Sequence, residues 1–374
     1  MTSTAPLPPP LHRLDDQPDN LIASSDVNWL LNGAMDQEDA KMPPQPETNL
    51  ETTATNGHTI IPPLQPESKP VKDNKAVPWY HTSLAEIDPV TRDLLENYSK
   101  IPSDQVKPHV FAIVRFPSSP TLHPPNPIHL CPPPPPPLTP VLSPSLQREK
   151  AWDVYPYPCI GQFLFLNLTI NLSPYYPTLV ARLRDPAHTL LDLGCCFAQD
   201  VRKLVADGAR GENLYGADLH GEFLELGYAL FRDRRTLRAT FFPADVLDPR
   251  DLPLRGLDGE MDVVYLGLFL HHFDFATCVR VCVRVVRLLR PRAGSLVMGV
   301  QVGALVADEV PIPIPSGGVL FRHDLASFAR LWEEVGRVTG TEWRVEARLE
   351  RAKGFGEKWQ IEGTRRLGFE VWRL

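Results

Sequence analysis

The sequence predicts an α/β fold built on a seven-stranded, mostly parallel sheet with helices on both faces. Three observations lead there. Thr189-Leu190-Leu191-Asp192-Leu193-Gly194-Cys195-Cys196-Phe197-Ala198-Gln199 reads as a buried strand that breaks at a glycine and restarts as a helix. Apolar runs bounded by turn residues then alternate with helical stretches, the rhythm of right-handed crossovers between parallel strands. A carboxylate, Asp218, ends the next strand-like run, at the distance where nucleotide-binding α/β folds set an acid against ribose hydroxyls.

The elements follow in order. Ser103–Val114 reads as a helix with Ser103 as N-cap and Val106, Val110 and Val114 in register, although Pro108 lies just past its first turn. Strand one closes on Asp192, and strand two is Asn213–Asp218. Leu237–Asp245 reads as strand three, continuing into Val246, and Met261–Leu266 as strand four. Their apolar runs suit strands covered on both faces. A helix then extends to about Leu289 and stops at Arg290-Pro291. Gly294–Gln301 reads as strand five. Glu342–Glu350 and Arg366–Arg373 alternate in strand fashion and would complete the sheet with an antiparallel hairpin.

Ligands of such sheets sit beyond the strand C-termini. Asp192, Gly194, Asp218, Asp245, His271 and His272 all fall there. A dinucleotide site wants glycine at all three places of G-x-G-x-x-G, so that backbone amides and a helix N-terminus can hold a pyrophosphate. Here the series is Gly194, Cys196, Ala198. The residues are small, but no diphosphate cradle is evident, which disfavours a nicotinamide-dependent reductase. S-adenosylmethionine carries no phosphate and needs less: a tight turn, a ribose carboxylate and an apolar slot for adenine. The cofactor-binding set read from the sequence is therefore Asp192, Gly194, Cys196, Asp218 and Leu219, with Asp245 and Val246 at the adenine. The domain is in this sense Rossmann-like.

Three stretches carry a family resemblance. They are Lys150-Ala151-Trp152 with Tyr155-Pro156-Tyr157-Pro158-Cys159-Ile160-Gly161-Gln162-Phe163, then Leu191–Phe197, and Arg284–Pro291. The chain resembles the class I methyltransferases of fungal meroterpenoid gene clusters, the austinol and terretonin type, over roughly residues 77–374. The resemblance implies methyl transfer from S-adenosylmethionine to a small secondary metabolite, above all to a carboxylate of a polyketide–terpenoid intermediate. That family has glycine where this chain has Ala198. A Cβ there would weaken cofactor binding if the position needs positive φ. The aromatic, proline-fixed 155–163 stretch suits either a lid, with Tyr157 and Gln162 near the methionine end, or a hydrophobic strap covering the sheet edge.

Domain boundaries follow composition. Residues 1–76 are rich in Pro, Asp, Asn, Thr and Ser with few aromatics, and are expected to be disordered. Residues 77–374 form the methyltransferase domain, with a helical cap over 77–163 and the Rossmann-like core over 188–374. Arg115–Gln147 contains Pro132–Pro137 and must be polyproline II or coil. With it removed, Val114 joins Arg148, and Ala151 and Val154 continue the apolar stripe. The segment thus interrupts one helix, either as an inserted loop or as a translated intron.

The 374 residues carry net charge −7 and no basic cluster interleaved with aromatics, which disfavours a nucleic-acid partner. Arg280, Arg284, Arg287 and Arg290 at helical spacing read as a solvated face. No signal peptide and no bilayer-spanning run are seen, so a cytoplasmic protein is the default. Six cysteines include no Cys-x-x-Cys pair. Cys278 and Cys282, four apart on a helix, read as small buried side chains, and no metal is expected. A small-molecule acceptor is the expected partner, and monomer and homodimer stay open. Trp332, Trp343, Trp359 and Trp372 read as packing residues.

His271 and His272 are the candidate catalytic residues. A carboxylate acceptor is already ionised, whereas a phenol gains from an imidazole base. The competing reading is that one histidine caps the loop and the other faces solvent. At the level of function, the alternative to an active enzyme is a catalytically impaired S-adenosylmethionine-binding relative that acts as a partner protein.

Overall fold

A computed structural model describes residues 80–112 (82 and 85 excepted), 149–311, 319–351 and 362–374. The expected disordered region at 1–76, Trp359, and the Pro-rich segment 115–147 lie outside the described residues.

Among the described residues the first elements are four short helices: α1 (Pro89–Asp93), running into a π-helical turn at Leu94–Tyr98, α2 (Val106–Ala112), α3 (Glu149–Val154) and α4 (Pro158–Gly161). A further helix, α5 (Tyr176–Leu183), precedes β1 (Leu190–Leu193). Then come α6 (Gln199–Ala206), β2 (Leu214–Asp218), α7 (Gly221–Phe231), β3 (Thr240–Pro243), α8 (Leu252–Arg255) and β4 (Val263–Gly267). They are followed by α9 (Phe275–Leu288), β5 (Leu296–Ala304), β6 (Asp308–Pro311), β7 (Val319–Arg322), α10 (Leu325–Thr339), β8 (Trp343–Glu350) and β9 (Thr364–Arg373). The seven-stranded sheet has the order β3-β2-β1-β4-β5-β9-β8. The first five strands are parallel, and β9 runs antiparallel between β5 and β8.

The expected sheet and its closing hairpin are present, with ends shifted by a few residues. β6 and β7 form a separate antiparallel pair that the sequence reading did not contain. α5 was also absent from that reading. The expected helix at Ser103–Val114 begins only at Val106, with Ser103–Gln105 in a turn. Starting there puts Pro108 in the first helical turn, where its missing N–H has no intrahelical acceptor to lose.

β1 is buried along its whole length, as a central parallel strand covered on both faces must be. The period of two sends Leu191 and Leu193 to the face shared with α9 and α10. Leu190 packs on the opposite face, with residues of α5 and α6, and Asp192 points the same way. A third apolar cluster joins the N-terminal helices to α7: Val106, Val110, Ala151, Trp152 and Ile160 pack with Phe223, Leu226, Leu230 and Phe231. The cap is thereby seated on the helix that follows β2, beside the sheet's C-terminal edge. Val106 and Val110 share this cluster with Ala151, consistent with one apolar stripe on both sides of the Pro-rich segment.

Side-chain caps fix the helix starts along that edge. Asp274 accepts from the Thr277 amide at α9, and Asp324 and Ser327 form a capping box at α10. α9 does not present a solvated arginine face throughout. Arg284 is buried and paired with Asp258, and Arg290 reaches Asp262 and the Ala187 carbonyl. Cys278 and Cys282 are buried, and the Cys278 thiol donates to the Leu270 carbonyl.

Candidate active site

The turn after β1 is built from alternating left-handed residues. Gly194 has φ +79°, Cys196 φ +51° and Ala198 φ +51°. These are the three places of the glycine series, so the turn keeps a glycine-type backbone with two non-glycine residues. Left-handed conformation costs an L-residue roughly 1–2 kcal/mol, so the surroundings must hold Cys196 and Ala198 in place. Gly194 itself is required: a Cβ there would lie 2.3 Å from Cδ2 of Phe269. That contact puts the segment after β4 directly on the turn.

Asp218 closes β2 beside this turn. Its Oδ2 accepts from the Cys196 amide at 2.8 Å and its Oδ1 from the His220 amide at 3.0 Å. Burial pushes its carboxyl above the usual range, and the two amides pull it back. Leu219, the next residue, is 58 % exposed, an apolar side chain held out at the sheet edge. Ala244 bonds back to the Asp218 carbonyl, bringing Asp245 and Val246 alongside. Asp245 is exposed and accepts from the Leu247 amide, while Val246 is buried.

Asp192 is 4 % exposed, and its carboxyl is held well above the usual range by burial, with Asp200 and Asp218 adding to the effect. Among the described residues no donor reaches its oxygens. Asp200, by contrast, accepts from the amides of Thr169 and Ile170 and from the Thr169 hydroxyl, which in turn accepts from Tyr265. Three acids thus surround the turn, one of them buried and unpaired. A buried carboxylate demands a partner, and a cation at the turn would supply it.

Tyr157 lies over the strand ends. Its ring centroid is 6.1 Å from His220, 6.3 Å from Phe223 and 5.7 Å from His272, so it bridges the loops after β2 and β4. Tyr155 stacks on His220 at 5.3 Å. Burial, then the nearby Asp218, pushes the Tyr157 hydroxyl upward. Gln162 follows α4 and is half-buried. Its backbone amide donates to the Pro158 carbonyl, its side chain forms no hydrogen bond among the described residues, and nothing brings it to the turn.

His271 and His272 occupy a 3-10 turn after β4, their rings 4.3 Å apart. Burial lowers the His272 ring to about 4, with the Leu268 carbonyl pulling the other way. His271 is buried, not solvent-facing. Its Nδ1 has no hydrogen-bond partner, and burial, with His272 adding to it, keeps the ring neutral. Both rings are therefore held neutral inside the loop, and His271 offers a free ring nitrogen there.

Sequence reasoning missed His220, Thr169, Asp200 and Gln301. Gln301 follows Val300, the residue of β5 that pairs with the last residue of β4. It is fully buried, with both amide atoms unpartnered. A lone polar residue inside an apolar strand was its signal. His220 follows Asp218 by two residues and needed only the expectation that the helix after β2 starts at the site. Asp200 and Thr169 gave no comparable signal, because the segment before β1 carries no motif.

A Rossmann-like sheet with an acid-lined, glycine-type turn after β1 and aromatic rings over its strand ends fits the class of S-adenosylmethionine-dependent methyltransferases. A family model described as a methyltransferase domain matches residues 190–292, and one described as the meroterpenoid methyltransferase N-terminal domain matches 79–115 and 146–166. The O-methyltransferase atr3 of Stereocaulon alpinum is 64 % identical over all of both chains. The O-methyltransferase phiE of a fungal species is 37 % identical, covering 83 % of this chain and 97 % of that one. The Asnovolin E/Chermesin D methyltransferase nvfJ of Aspergillus novofumigatus is 34 % identical, over 76 % of this chain and 89 % of that one. The chain belongs to this family of fungal meroterpenoid-type methyltransferases. It is an enzyme, and S-adenosylmethionine is its cofactor. The N-terminal match passes over 116–145, most of the segment that the sequence sets apart as an interruption. No helix among the described residues is long and apolar enough to cross a membrane.

Proposed function

We propose that the protein transfers the methyl group to an oxygen of a small apolar acid, forming a methyl ester on a polyketide–terpenoid intermediate. The observation that carries this reading is the 64 % identity to an O-methyltransferase over the full length of both chains. The neutral, buried His271 beside the turn supports it from the chemistry.

Bound S-adenosylmethionine supplies a methyl group already activated by the sulfonium charge. What remains for the protein is alignment and exclusion of water. Asp192 meets the ammonium of the methionine end, which gives its buried carboxylate the counter-charge it lacks. Asp218 keeps a free lone pair on each oxygen for the ribose hydroxyls. Leu219 and Val246 offer apolar contact to adenine, and Asp245 accepts from its amino group. Gly194 and Cys196 leave room for the cofactor's close approach.

On the acceptor side a carboxylate is ionised at neutral pH and needs no base. A neutral imidazole suits it better than a charged one, because an N–H at His271 Nδ1 can orient one carboxylate oxygen without forming a competing ion pair. Gln301 offers a second buried polar group next to the same loop. The Tyr157 ring, across from His272, closes the site from above.

The test is incubation of the full chain with S-adenosylmethionine and a panel of aromatic and terpenoid acids and phenols, followed by alkaline hydrolysis of the products. Methyl esters are cleaved and methyl ethers survive. Products that resist hydrolysis would replace the carboxylate with a phenol as the acceptor.

A further inference from the structure

The carbonyls of the left-handed turn are gripped from beneath by one buried guanidinium. Arg202, on α6, is fully buried. Its Nη1 donates to the Phe197 carbonyl at 2.7 Å and to the Ala198 carbonyl at 3.2 Å. Nε and Nη2 form a two-pronged pair with Asp233, at 2.7 and 3.0 Å. The guanidinium lies over the Phe231 ring at 4.7 Å. Asp233, itself buried, also accepts from the Tyr98 hydroxyl of the N-terminal cap at 2.8 Å. On its other side the Phe197 carbonyl is confined by α7, where a Cβ on Gly227 would stand 2.5 Å from it.

We infer that Arg202 is a positioning residue for the cofactor, and that Tyr98 makes the cap part of the same device. The inference rests on the reading that the 194–198 turn holds the cofactor. Its physical basis is the backbone of Ala198. This residue sits at φ +51° and ψ +41° as the N-cap of α6, with no side-chain cap of its own. An alanine there would relax toward right-handed values. Relaxation would swing the Phe197 and Ala198 carbonyls and carry the Cys196 amide away from Asp218. Charge-assisted bonds to both carbonyls oppose that swing. The Asp233 pair fixes the orientation of the planar guanidinium and neutralises it, leaving Nη1 to the turn. In a chain with glycine at this position the hold would be dispensable. Here Arg202 does what the missing glycine would otherwise do.

The experiment compares full-length Arg202→Lys, Tyr98→Phe, Ala198→Gly and the double variants A198G/R202K and A198G/Y98F with the unsubstituted chain. Calorimetric titration with S-adenosylmethionine gives affinity, and thermal melting gives stability. Arg202→Lys should weaken binding about tenfold, the effect of losing charge-assisted bonds at a binding turn. Ala198→Gly should bind at least as tightly as the parent. A198G/R202K should recover most of the lost affinity, because glycine takes the left-handed conformation unaided. Rescue by removing one methyl group is not expected of a residue that merely stabilises the core.

Additive losses in A198G/R202K, or unchanged affinity in R202K with a lowered melting point, would overturn the inference. Should R202K fail to fold, Tyr98→Phe, which removes one hydroxyl, carries the same comparison: weaker binding rescued by A198G supports the device, and unchanged binding overturns it. Asp218→Asn separates the two levels of the argument. If it binds normally, the turn is not the cofactor site. If it loses binding while R202K and Y98F do not, only the role of Arg202 falls.

Discussion

The Cys196 amide donates to the Asp218 carboxylate over 2.8 Å, joining the ends of two neighbouring parallel strands. This bond explains why a non-glycine residue stays at φ +51° in the middle of the turn. It also defines the free side of Asp218, since the His220 amide occupies the other oxygen and both outward lone pairs remain for a diol.

Asp218→Asn is therefore not a mild change. Its NH2 must face one of two N–H donors, so either the turn or the α7 entry loses its acceptor. The variant should bind S-adenosylmethionine at least tenfold more weakly, a loss of about 1.4 kcal/mol or more. Calorimetry measures this, with circular dichroism confirming the fold.

Affinity for the cofactor should depend on pH through Asp192. Its carboxyl is raised well above 3.8 by burial and by Asp200 and Asp218. Below that raised value the free protein holds the acid neutral, and binding a cation beside it must expel a proton. Affinity should thus rise with pH through the raised value and level off above it. Asp192→Asn should bind weakly at every pH and lose that part of the slope. A parent profile without a slope, with Asp200 and Asp218 intact, would contradict the assignment.

Turnover should show no ionisation near the ordinary imidazole value. His272 is lowered to about 4 and His271 well below its usual range, so both are neutral above these values and lose that form only on acidification. His271→Gln should lower kcat about tenfold or more with little change in cofactor affinity. His272→Gln should disturb the Leu268 loop and raise the acceptor KM. An inflection near pH 6.5 that His271→Gln abolishes would make His271 a general base for a phenol rather than an orienting group.

Gly227→Ala should be costly although it lies in a helix, where alanine is ordinarily favoured. The new Cβ meets the Phe197 carbonyl at 2.5 Å. Overpacking of this kind typically costs about 1–3 kcal/mol, to be read as a lowered melting point accompanied by weaker cofactor binding.

Much of this was legible because parallel strands buried on both faces spell themselves out as apolar runs, and polar residues appear where the runs stop. Leu190–Leu193, Leu214–Asp218 and Val263–Gly267 are of that kind, and Asp192, Asp218 and His271 follow from where the runs stop. α5 and the β6–β7 pair went unread because they are short. Tyr176, Leu179, Val180 and Leu183 recur at helical spacing over only two turns, and Asp308–Pro311 and Val319–Arg322 have four residues each, too few to display a strand period. Nor could the sequence show that Asp200 bonds Thr169, or that Arg202 reaches the Phe197 carbonyl. The first depends on a connection without motifs, and the second on how α6 rolls against α7. Arg284 and Arg290 misled for a related reason: regular spacing on a helix does not reveal the acids, Asp258 and Asp262, that wait on another element.

The most direct measurement is calorimetric titration of the full chain with S-adenosylmethionine, S-adenosylhomocysteine and NADPH. The account predicts one site per chain with micromolar affinity for both S-adenosyl ligands, weakened at least tenfold in Asp218→Asn, and no heat from NADPH. Binding of NADPH, or S-adenosyl binding that survives Asp218→Asn unchanged, would contradict it.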